Sequence, residues 1–289
     1  MSVDEPTTET GVGAGVAVRS RNGPRPSSSA RWGSWYVAEH SLRRLKGYGG
    51  TVVATAFGTP VLYMIAFGVG LASLVTAHLG PHAINGVSYL TFVAPALLCA
   101  AGITVAAEEF TYPIMMGFKW NPVFVGMNSA PLSARQIVNG LVIFVAIRMS
   151  VTALIYFAIT SLFGAVPFSS GWLSVPVAIL TGLAFGAPLM AFSASLTEDR
   201  GQFALVMRFV VVPMTLFSGT MFPLTQLPEW LRWIAWISPL WHGTEVARVV
   251  SYGADVAPWL IAVHLAVLVV LLVLGWALAV RITRKRLDK

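Results

Sequence analysis

The chain contains 289 residues, of which 56% are hydrophobic and only 11% are charged, and its formal net charge is +7. Soluble domains carry about 25% charged residues, so this chain has too few charges to cover the surface of a soluble fold. The composition excludes a soluble enzyme, a disordered chain and a nucleic-acid-binding domain. A single cysteine, Cys99, also excludes a disulfide scaffold.

The few charges are unevenly distributed along the chain. No Asp, Glu, Lys or Arg occurs between Lys46 and Glu108, and the stretches 149–197 and 256–280 are equally free of charge. A membrane-spanning helix needs about 20 apolar residues, so the first two stretches each have room for two spans. We predict an all-α polytopic membrane protein with six transmembrane helices: Thr51–Ala77, Val87–Ala107, Gln136–Leu162, Leu173–Leu196, Phe203–Phe222 and Ala257–Val280.

The residues before the first span divide into two parts. Residues 1–31 are rich in Ser, Thr, Gly and Pro and lack apolar periodicity, which predicts a disordered cytoplasmic tail. Residues 32–46 place Trp35, Ala38 and Leu42 on one helical face beside basic residues, which favours an interfacial helix at the membrane surface. The alternative is a plain polar flank to the first span.

The basic residues predict the orientation of the chain in the membrane. Fifteen of the 19 Lys and Arg residues lie in the two termini and in the loops after the second and fourth predicted spans. Only Arg232 and Arg248 lie in loops on the opposite side. By the positive-inside rule both termini are cytoplasmic, which requires an even number of spans. The positive charge therefore flanks the membrane, and no nucleic-acid partner is needed to explain it.

The interval 223–250, between the fifth and sixth predicted spans, is rich in Trp and interrupted by proline. A straight span is not expected there, because proline breaks helices and charges are costly inside a membrane. We predict short extracellular re-entrant helices, whose irregular backbone must be sheltered by protein. The candidate residues of this region are Pro223, Pro228, Glu229, Pro239, Glu245 and Arg248.

The sequence contains no motif for nucleotide binding or metal binding. A P-loop requires Gly-Lys-Ser/Thr to cradle phosphates, and none of the four lysines follows a glycine. His78 and His82 have helical spacing, but Gly80-Pro81 between them breaks the helix that would align them on a metal. We therefore predict no metal site and no cofactor on this chain, so that any ATP and Mg²⁺ belong to a partner subunit.

Three residues within the predicted spans are candidates for a transmembrane pathway or for helix packing. Arg148 follows Arg135 by 13 residues, about 20 Å along a helix, at a depth where a charge costs about 3 kcal/mol. It either faces the protein interior or an aqueous path, or it reaches toward the outer surface. Gly182 and Gly186 have a spacing that lets helices approach closely, or they simply reflect a glycine-rich chain.

The interval between the second and third predicted spans, residues 108–135, is unusually long and apolar for a loop. Its aromatic side chains favour a short helix that docks onto a soluble partner. A re-entrant or membrane-surface helix is the alternative. The candidate residues of this interval are Glu108, Glu109, Phe118, Trp120 and Phe124.

Three segments of the chain resemble the type-2 permeases of ABC exporters, especially the bacterial branch that exports drugs and nodulation lipo-oligosaccharides. The first is YLTFVAPALL at 89–98, followed by the glutamate pair, and the second is APLS at 130–133. The third is the long run 217–248, which contains FSGTMFPLTQLPEWL and PLWHGTEVAR. The resemblance covers residues 32–285 and leaves the N-terminal tail outside it.

The resemblance implies a function and a set of partners. Two permeases, identical or related, would pair with two ATPase subunits in the bacterial plasma membrane, and ATP and Mg²⁺ would bind to those subunits. The coupling helix would lie within residues 112–132, and Glu108 and Glu109 would lie where the second span meets the ATPase. Substrates of the family are lipids, glycolipids, polysaccharides and hydrophobic drugs, so we expect export of an amphipathic substrate.

Two other classes of protein remain open on the sequence alone. An ion-coupled secondary transporter of a hydrophobic compound needs a buried acidic relay, whereas the interiors of the six predicted spans contain no Asp or Glu. A membrane-embedded transferase needs a reactive cluster at the membrane interface. The possible members of such a cluster are Glu229, His242 and Glu245. They would lie on the outer side of the membrane, away from nucleotide donors. Both alternatives fit the sequence less well than the exporter.

Overall fold

The protein is described by a computed structural model that covers residues 27–80, 84, 86–130 and 132–288. Every named element in these ranges is helical, which confirms the predicted all-α class. The labelled helices are α1 Ser27–Leu45, α2 Gly49–His78, α3 Tyr89–Glu109, α4 Tyr112–Phe118, α5 Val123–Ser129, α6 Ala134–Leu162, α7 Ser174–Ser195, α8 Gln202–Phe217, α9 Glu229–Trp236, α10 Pro239–Tyr252 and α11 Pro258–Leu287.

Five of the described helices are long and apolar enough to cross a membrane: α2, α3, α6, α7 and α11. They correspond to the first, second, third, fourth and sixth predicted spans. The fifth predicted span, Phe203–Phe222, corresponds to the shorter apolar helix α8, which ends at Phe217. The chain turns immediately afterwards, where Gly219 adopts a φ of 68° that glycine accepts without steric cost. The count of six spans stays a prediction.

Helix α1 begins at Ser27, within the stretch predicted as a tail, and residues 1–26 lie outside the described residues. Its buried face includes Val37 and Ser41, which pack along α6. The approach is close, because a Cβ on Gly140 of α6 would lie 2.5 Å from the carbonyl oxygen of Ser34. Of the predicted apolar face, Ala38 is buried and Leu42 packs against the core, whereas Trp35 is 45% exposed. The location of α1 at a membrane surface stays a prediction.

The interior of the bundle is formed mainly by α3 and α7. In each of these helices 72% of the most apolar segment is buried, compared with 12% in α2 and 17% in α11. Helix α10 packs against α3, α7 and α11, so the region after α8 belongs to the same core. The apolar exposed faces of α2 and α11 are suited to lipid or to another membrane protein.

Helices α3 and α7 pack closely at two glycines. A Cβ on Gly182 would lie 2.7 Å from the carbonyl oxygen of Gly102, and one on Gly186 would lie 2.6 Å from the ring of Phe110. Small residues allow such close approach between helices in a membrane.

We expect the substitution Gly182→Ala to destabilise the protein by about 1–3 kcal/mol, the usual cost of overpacking a core. The added methyl group would meet the backbone of α3, which cannot rotate away as a side chain can. Gly70→Ala is the matched control, since no atom lies within 4 Å of its Cβ position and alanine favours a helix. Thermal unfolding in detergent measures both variants, and equal melting temperatures would contradict the packing argument.

Candidate functional site: a buried charge cluster beside a polar cavity

Glu108 and Glu109 end helix α3, and Arg148 reaches both of them from α6. Arg148 Nη2 donates to Glu108 Oε2 at 2.5 Å, and Nη1 donates to Glu109 Oε1. The side chains of Arg148 and Glu109 are 8% and 3% exposed, whereas that of Glu108 is 50% exposed. We call these three residues the charge cluster. Arg148 therefore points toward the end of α3 and does not reach outward to the opposite surface.

The junction between α1 and α2 also contacts the charge cluster. The hydroxyl of Tyr48 donates to Glu109 Oε1 at 3.3 Å. Burial, and next the Glu109 carboxylate, raise the pKa of Tyr48, so the phenol stays protonated at neutral pH and acts as a donor. The Glu109 carboxylate, at the end of α3, thus joins α6 and the turn between α1 and α2.

The start of α6 sets the register that brings Arg148 to this position. Ser133 caps the helix by accepting from the backbone N–H of Gln136, whose side chain accepts from the backbone N–H of Ser133. This capping box fixes the first turn and uses the serine of the APLS segment. Pro131 of the same segment lies outside the described residues.

A polar cavity of about 220 Å³ lies beside the cluster, between α2, α3 and α6. Residues four apart share a helix face, and polar residues with this spacing converge here from all three helices. They are Thr55, Thr59 and Tyr63 of α2, Thr104 and Glu108 of α3, and Arg148, Thr152 and Tyr156 of α6.

Two buried polar atoms in the cavity wall, Arg148 Nε and Tyr156 Oη, have no hydrogen-bond partner among the described residues. Tyr156 is 1% exposed. Buried polar groups nearly always have a partner, and these two atoms expose no appreciable surface to the cavity. The mixed polar and apolar lining suits the cavity to a compound that has polar groups together with an apolar body.

Helices α4 and α5 follow the charge cluster and form a short hairpin, which we call the coupling hairpin because it lies within the segment predicted for coupling, residues 112–132. The rings of Phe118 and Phe124 pack edge to face, 5.0 Å apart, and Arg286 of α11 lies 4.2 Å from the centre of the Phe118 ring. Lys119 forms an ion pair with Glu198 at 3.3 Å. The hairpin is thus held against the ends of α7 and α11.

The three aromatic residues predicted for this interval lie in different environments. Phe124 is 6% exposed and Phe118 is partly buried, so both brace the hairpin from inside. Trp120 is 57% exposed and Val125 is 49% exposed. Trp120 and Val125 therefore form an exposed apolar surface on the hairpin.

The segment between α8 and α11 consists of short helices punctuated by proline, and its entry into the membrane stays a prediction. Pro228 precedes α9 and Pro239 is the first residue of α10, while Pro223 precedes a single 3₁₀ turn. Glu229 is exposed at the start of α9. The exposed large apolar side chains of this helix and its C-terminal end are Trp230, Trp233, Trp236 and Ile237.

Arg248 fixes α10 to α3. Its guanidinium lies 3.7 Å from the centre of the Phe92 ring, donates to the Gly219 carbonyl at 2.7 Å and pairs with Glu245 at 3.0 Å. The Arg248 side chain is 4% exposed. This arginine is therefore a buried structural anchor of the segment between α8 and α11, which we call the outer segment because the basic residues predict that it lies on the outer side.

A pair of buried histidines, which no sequence motif indicated, also joins this segment to the last span. The Nδ1 atoms of His242 and His264 lie 2.7 Å apart, and His242 Nε2 lies 3.0 Å from the Trp236 carbonyl oxygen. Two Nδ1 atoms at this distance share one proton. The pair connects α10 to α11 through a hydrogen bond.

Five apolar helices of spanning length, three of which enclose a polar cavity beside a buried charge cluster, define a multi-pass membrane protein. The family model described as "ABC-2 type transporter" matches residues 35–252, and the chain belongs to this family. It is therefore a transporter permease by family.

Several curated relatives are similar over most of their length. Nodulation protein J of Rhizobium leguminosarum bv. viciae is 27% identical over 228 residues, covering 79% of this chain and 85% of that protein. Nodulation protein J of Neorhizobium galegae is 28% identical, covering 80% and 84%. The inner membrane transport permease YadH of Escherichia coli strain K12 is 27% identical, covering 69% and 75%.

Proposed function

We propose that this chain is the transmembrane permease subunit of an ATP-driven exporter in the bacterial plasma membrane. It moves an amphipathic compound, such as a hydrophobic drug, a lipid or a glycolipid, out of the cytoplasm or the inner leaflet. The observation that carries this proposal is the charge cluster, which borders the polar cavity and immediately precedes the coupling hairpin.

The energy comes from partner subunits, since the chain lacks a P-loop. Two ATPase copies bind ATP and Mg²⁺, and they act on a pair of permeases, identical or related. Membership in the ABC-2 transporter family supports this arrangement. Both termini and the coupling hairpin face the cytoplasm, in line with the distribution of basic residues.

Coupling proceeds from the hairpin to the cavity. Trp120 and Val125 contact the ATPase, while Phe118 and Phe124 make the hairpin move as one body. Only Phe110 and Thr111 separate α3 from α4, so displacement of the hairpin acts directly on Glu108 and Glu109. Separating a buried ion pair is costly, so the cluster moves between discrete arrangements in which Arg148 changes the shape of the cavity.

The amphipathic nature of the substrate follows from the lining of the polar cavity. Hydroxyl groups and the Arg148 guanidinium line it together with apolar side chains such as Leu97, Ala101 and Val105. Sites of this kind fix a ligand by a few polar contacts and bind most of its surface by apolar contact.

Transport in vesicles that contain the permease and its ATPase tests the proposal against ion-coupled transport. Efflux of a fluorescent amphiphile is measured after ATP depletion while an imposed proton gradient is held constant. We expect efflux to stop, and to continue when ATP is present and an ionophore collapses the gradient. Efflux that persists without ATP and follows the gradient would show that the chain is a secondary transporter.

A further inference from the structure

A second cavity, of about 310 Å³, lies between α1, the coupling hairpin and α6. We call it the α1 cavity. Glu109 borders it, whereas Glu108 and Arg148 border the polar cavity. The charge cluster therefore separates the two cavities, and the α1 cavity is not part of the site described above.

Most of the wall of the α1 cavity is apolar, and with Arg135 taken as the inner edge of the membrane, as the positive-inside rule predicts, the cavity extends into the hydrocarbon region. Residues 141–145 lie six to ten positions after Arg135, which corresponds to about 9–15 Å along α6. The hydrocarbon core of a membrane is about 30 Å thick, so these residues lie in its inner half. A volume near the lower limit of about 300 Å³ for ligand sites suits a single hydrocarbon chain. The apolar walls include Phe110, Ile114, Phe124, Leu141, Phe144 and Val145.

The mouth of the α1 cavity is basic. His40, Arg43 and Arg44 line it from α1. Arg43 pairs with Glu39 at 2.6 Å in an exposed position, while Arg44 has no carboxylate within 4 Å in the described part of the chain. Apart from His40, residues 39–46 contain three positively charged residues, Arg43, Arg44 and Lys46, and one acidic residue, Glu39, so the mouth attracts an anion.

We propose that the α1 cavity binds an anionic phospholipid of the inner leaflet. The phosphate lies at Arg43 and Arg44, and one acyl chain lies between the coupling hairpin and α6. Basic pockets on the cytoplasmic side of membrane helices bind anionic head groups in this way. The exposed Trp32, Trp35 and Tyr36 of α1 are residues that favour the membrane interface, which places the mouth at head-group level.

A bound lipid would have a mechanical consequence, because its two parts contact different elements. The head group contacts α1 and the acyl chain contacts the coupling hairpin. The position of the hairpin would then depend on the lipid composition of the inner leaflet. Lipid binding itself requires neither ATP nor transport, so the proposal can fail while the proposed function holds, and the reverse is equally true.

Photolabelling of the wild-type protein tests the location of the lipid without any substitution. The full chain, with any ATPase that copurifies, is placed in nanodiscs containing phosphatidylglycerol with a diazirine in the acyl chain. We expect label in peptides that cover 110–127 and 141–145, at several times the level given by the matching phosphatidylcholine probe. Equal labelling by the two probes, or label confined to α2 and α11, would overturn the proposal.

Lipid titration by native mass spectrometry tests the role of the basic mouth. The double substitution R43Q/R44Q is expected to weaken phosphatidylglycerol binding roughly 25-fold, about fivefold for each charge. Arg31→Gln is the matched control, since Arg31 lies on the same helix and is exposed but does not line the cavity. An equal loss in the control would refute the assignment.

Two further experiments distinguish a bound lipid from other occupants of the α1 cavity. Met127→Trp fills the partly buried rim of the cavity and is expected to reduce lipid retention while the arginines are intact. Free glycerol phosphate at millimolar concentration is expected not to compete, since the acyl chain is required. Competition by glycerol phosphate would indicate a plain phosphate site. Loss of ATPase binding without loss of lipid in R43Q/R44Q would indicate a protein-docking surface, and either result overturns the proposal.

Discussion

Replacing Arg148 with Met is expected to destabilise the protein by about 3–5 kcal/mol and to abolish transport. The loss follows from burial, since the Glu109 side chain is 3% exposed and would keep only Tyr48 as a hydrogen-bond donor among the described residues. Breaking a buried ion pair by removing one partner leaves an uncompensated charge, which costs this much in other proteins. Denaturant unfolding in detergent and ATP-driven efflux measure the two effects.

Arg208→Met is the matched control for this substitution. It makes the same chemical change within the apolar helix α8, where Arg208 is exposed. Removing the second charge as well, in R148M/E109Q, should recover part of the stability because no buried carboxylate remains. If R148M is as stable as R208M, or if the double variant recovers nothing, the charge cluster does not hold α3 and α6 together.

Substitutions of the two glutamates should affect different properties, one mainly stability and the other mainly coupling. Glu109→Gln is expected to lower stability more, since the Glu109 side chain is buried, whereas Glu108→Gln is expected mainly to affect coupling, since Glu108 is half exposed beside the polar cavity. The ratio of transported compound to hydrolysed ATP measures coupling. Unchanged coupling in both variants would remove these residues from the proposed mechanism.

Replacing Arg248 with Met should have the second large effect, a loss of about 3–5 kcal/mol centred on the outer segment. The substitution would leave Glu245 and the Gly219 carbonyl without their buried donor and would remove the stacking on Phe92. Hydrogen exchange of residues 218–252 should report the opening of this segment. Arg248→Lys keeps the charge but loses the planar fork, so its effect should be intermediate.

Arg232→Met provides the comparison within the same outer segment. Arg232 is 29% exposed and lies 3.9 Å from Glu229, which is 92% exposed. Exposed ion pairs contribute about 0–1 kcal/mol to stability, and water can replace the hydrogen bonds that Arg232 would lose. Equal exchange in the Arg232 and Arg248 variants would contradict the view that Arg248 anchors α10 to α3.

The helical class and the positions of the spans were predictable because they depend on local apolar length. The third predicted span and α6 both end at Leu162, and the fourth lies within two residues of α7 at either end. Helix α8 differs because its C-terminal end is set by the turn at Gly219, which residue hydropathy does not report. The face of α1 was predicted correctly at Ala38 and Leu42 but not at Trp35, whereas Val37, which was not predicted, packs closely against Gly140.

The pairing of Arg148 with the two glutamates was not predictable, since it joins residues about 40 positions apart and depends on how α3 and α6 pack. One local signal was present. Thr152 and Tyr156 follow Arg148 at intervals of four, and Thr104 precedes Glu108 by four, so polar faces existed on both helices. For Phe118 and Phe124, composition predicted apolar character but not that the two rings pack against each other.

The central claim is that partner ATPases drive this permease, and native mass spectrometry of the gently purified complex tests it most directly. The chain is purified from its own membranes in mild detergent, with a known membrane complex as the control for subunit loss. We predict an assembly with two ATPase copies and two permeases, whose masses also show whether the second permease is identical. A monomer or dimer without any ATPase, obtained while the control complex stays intact, would contradict the account.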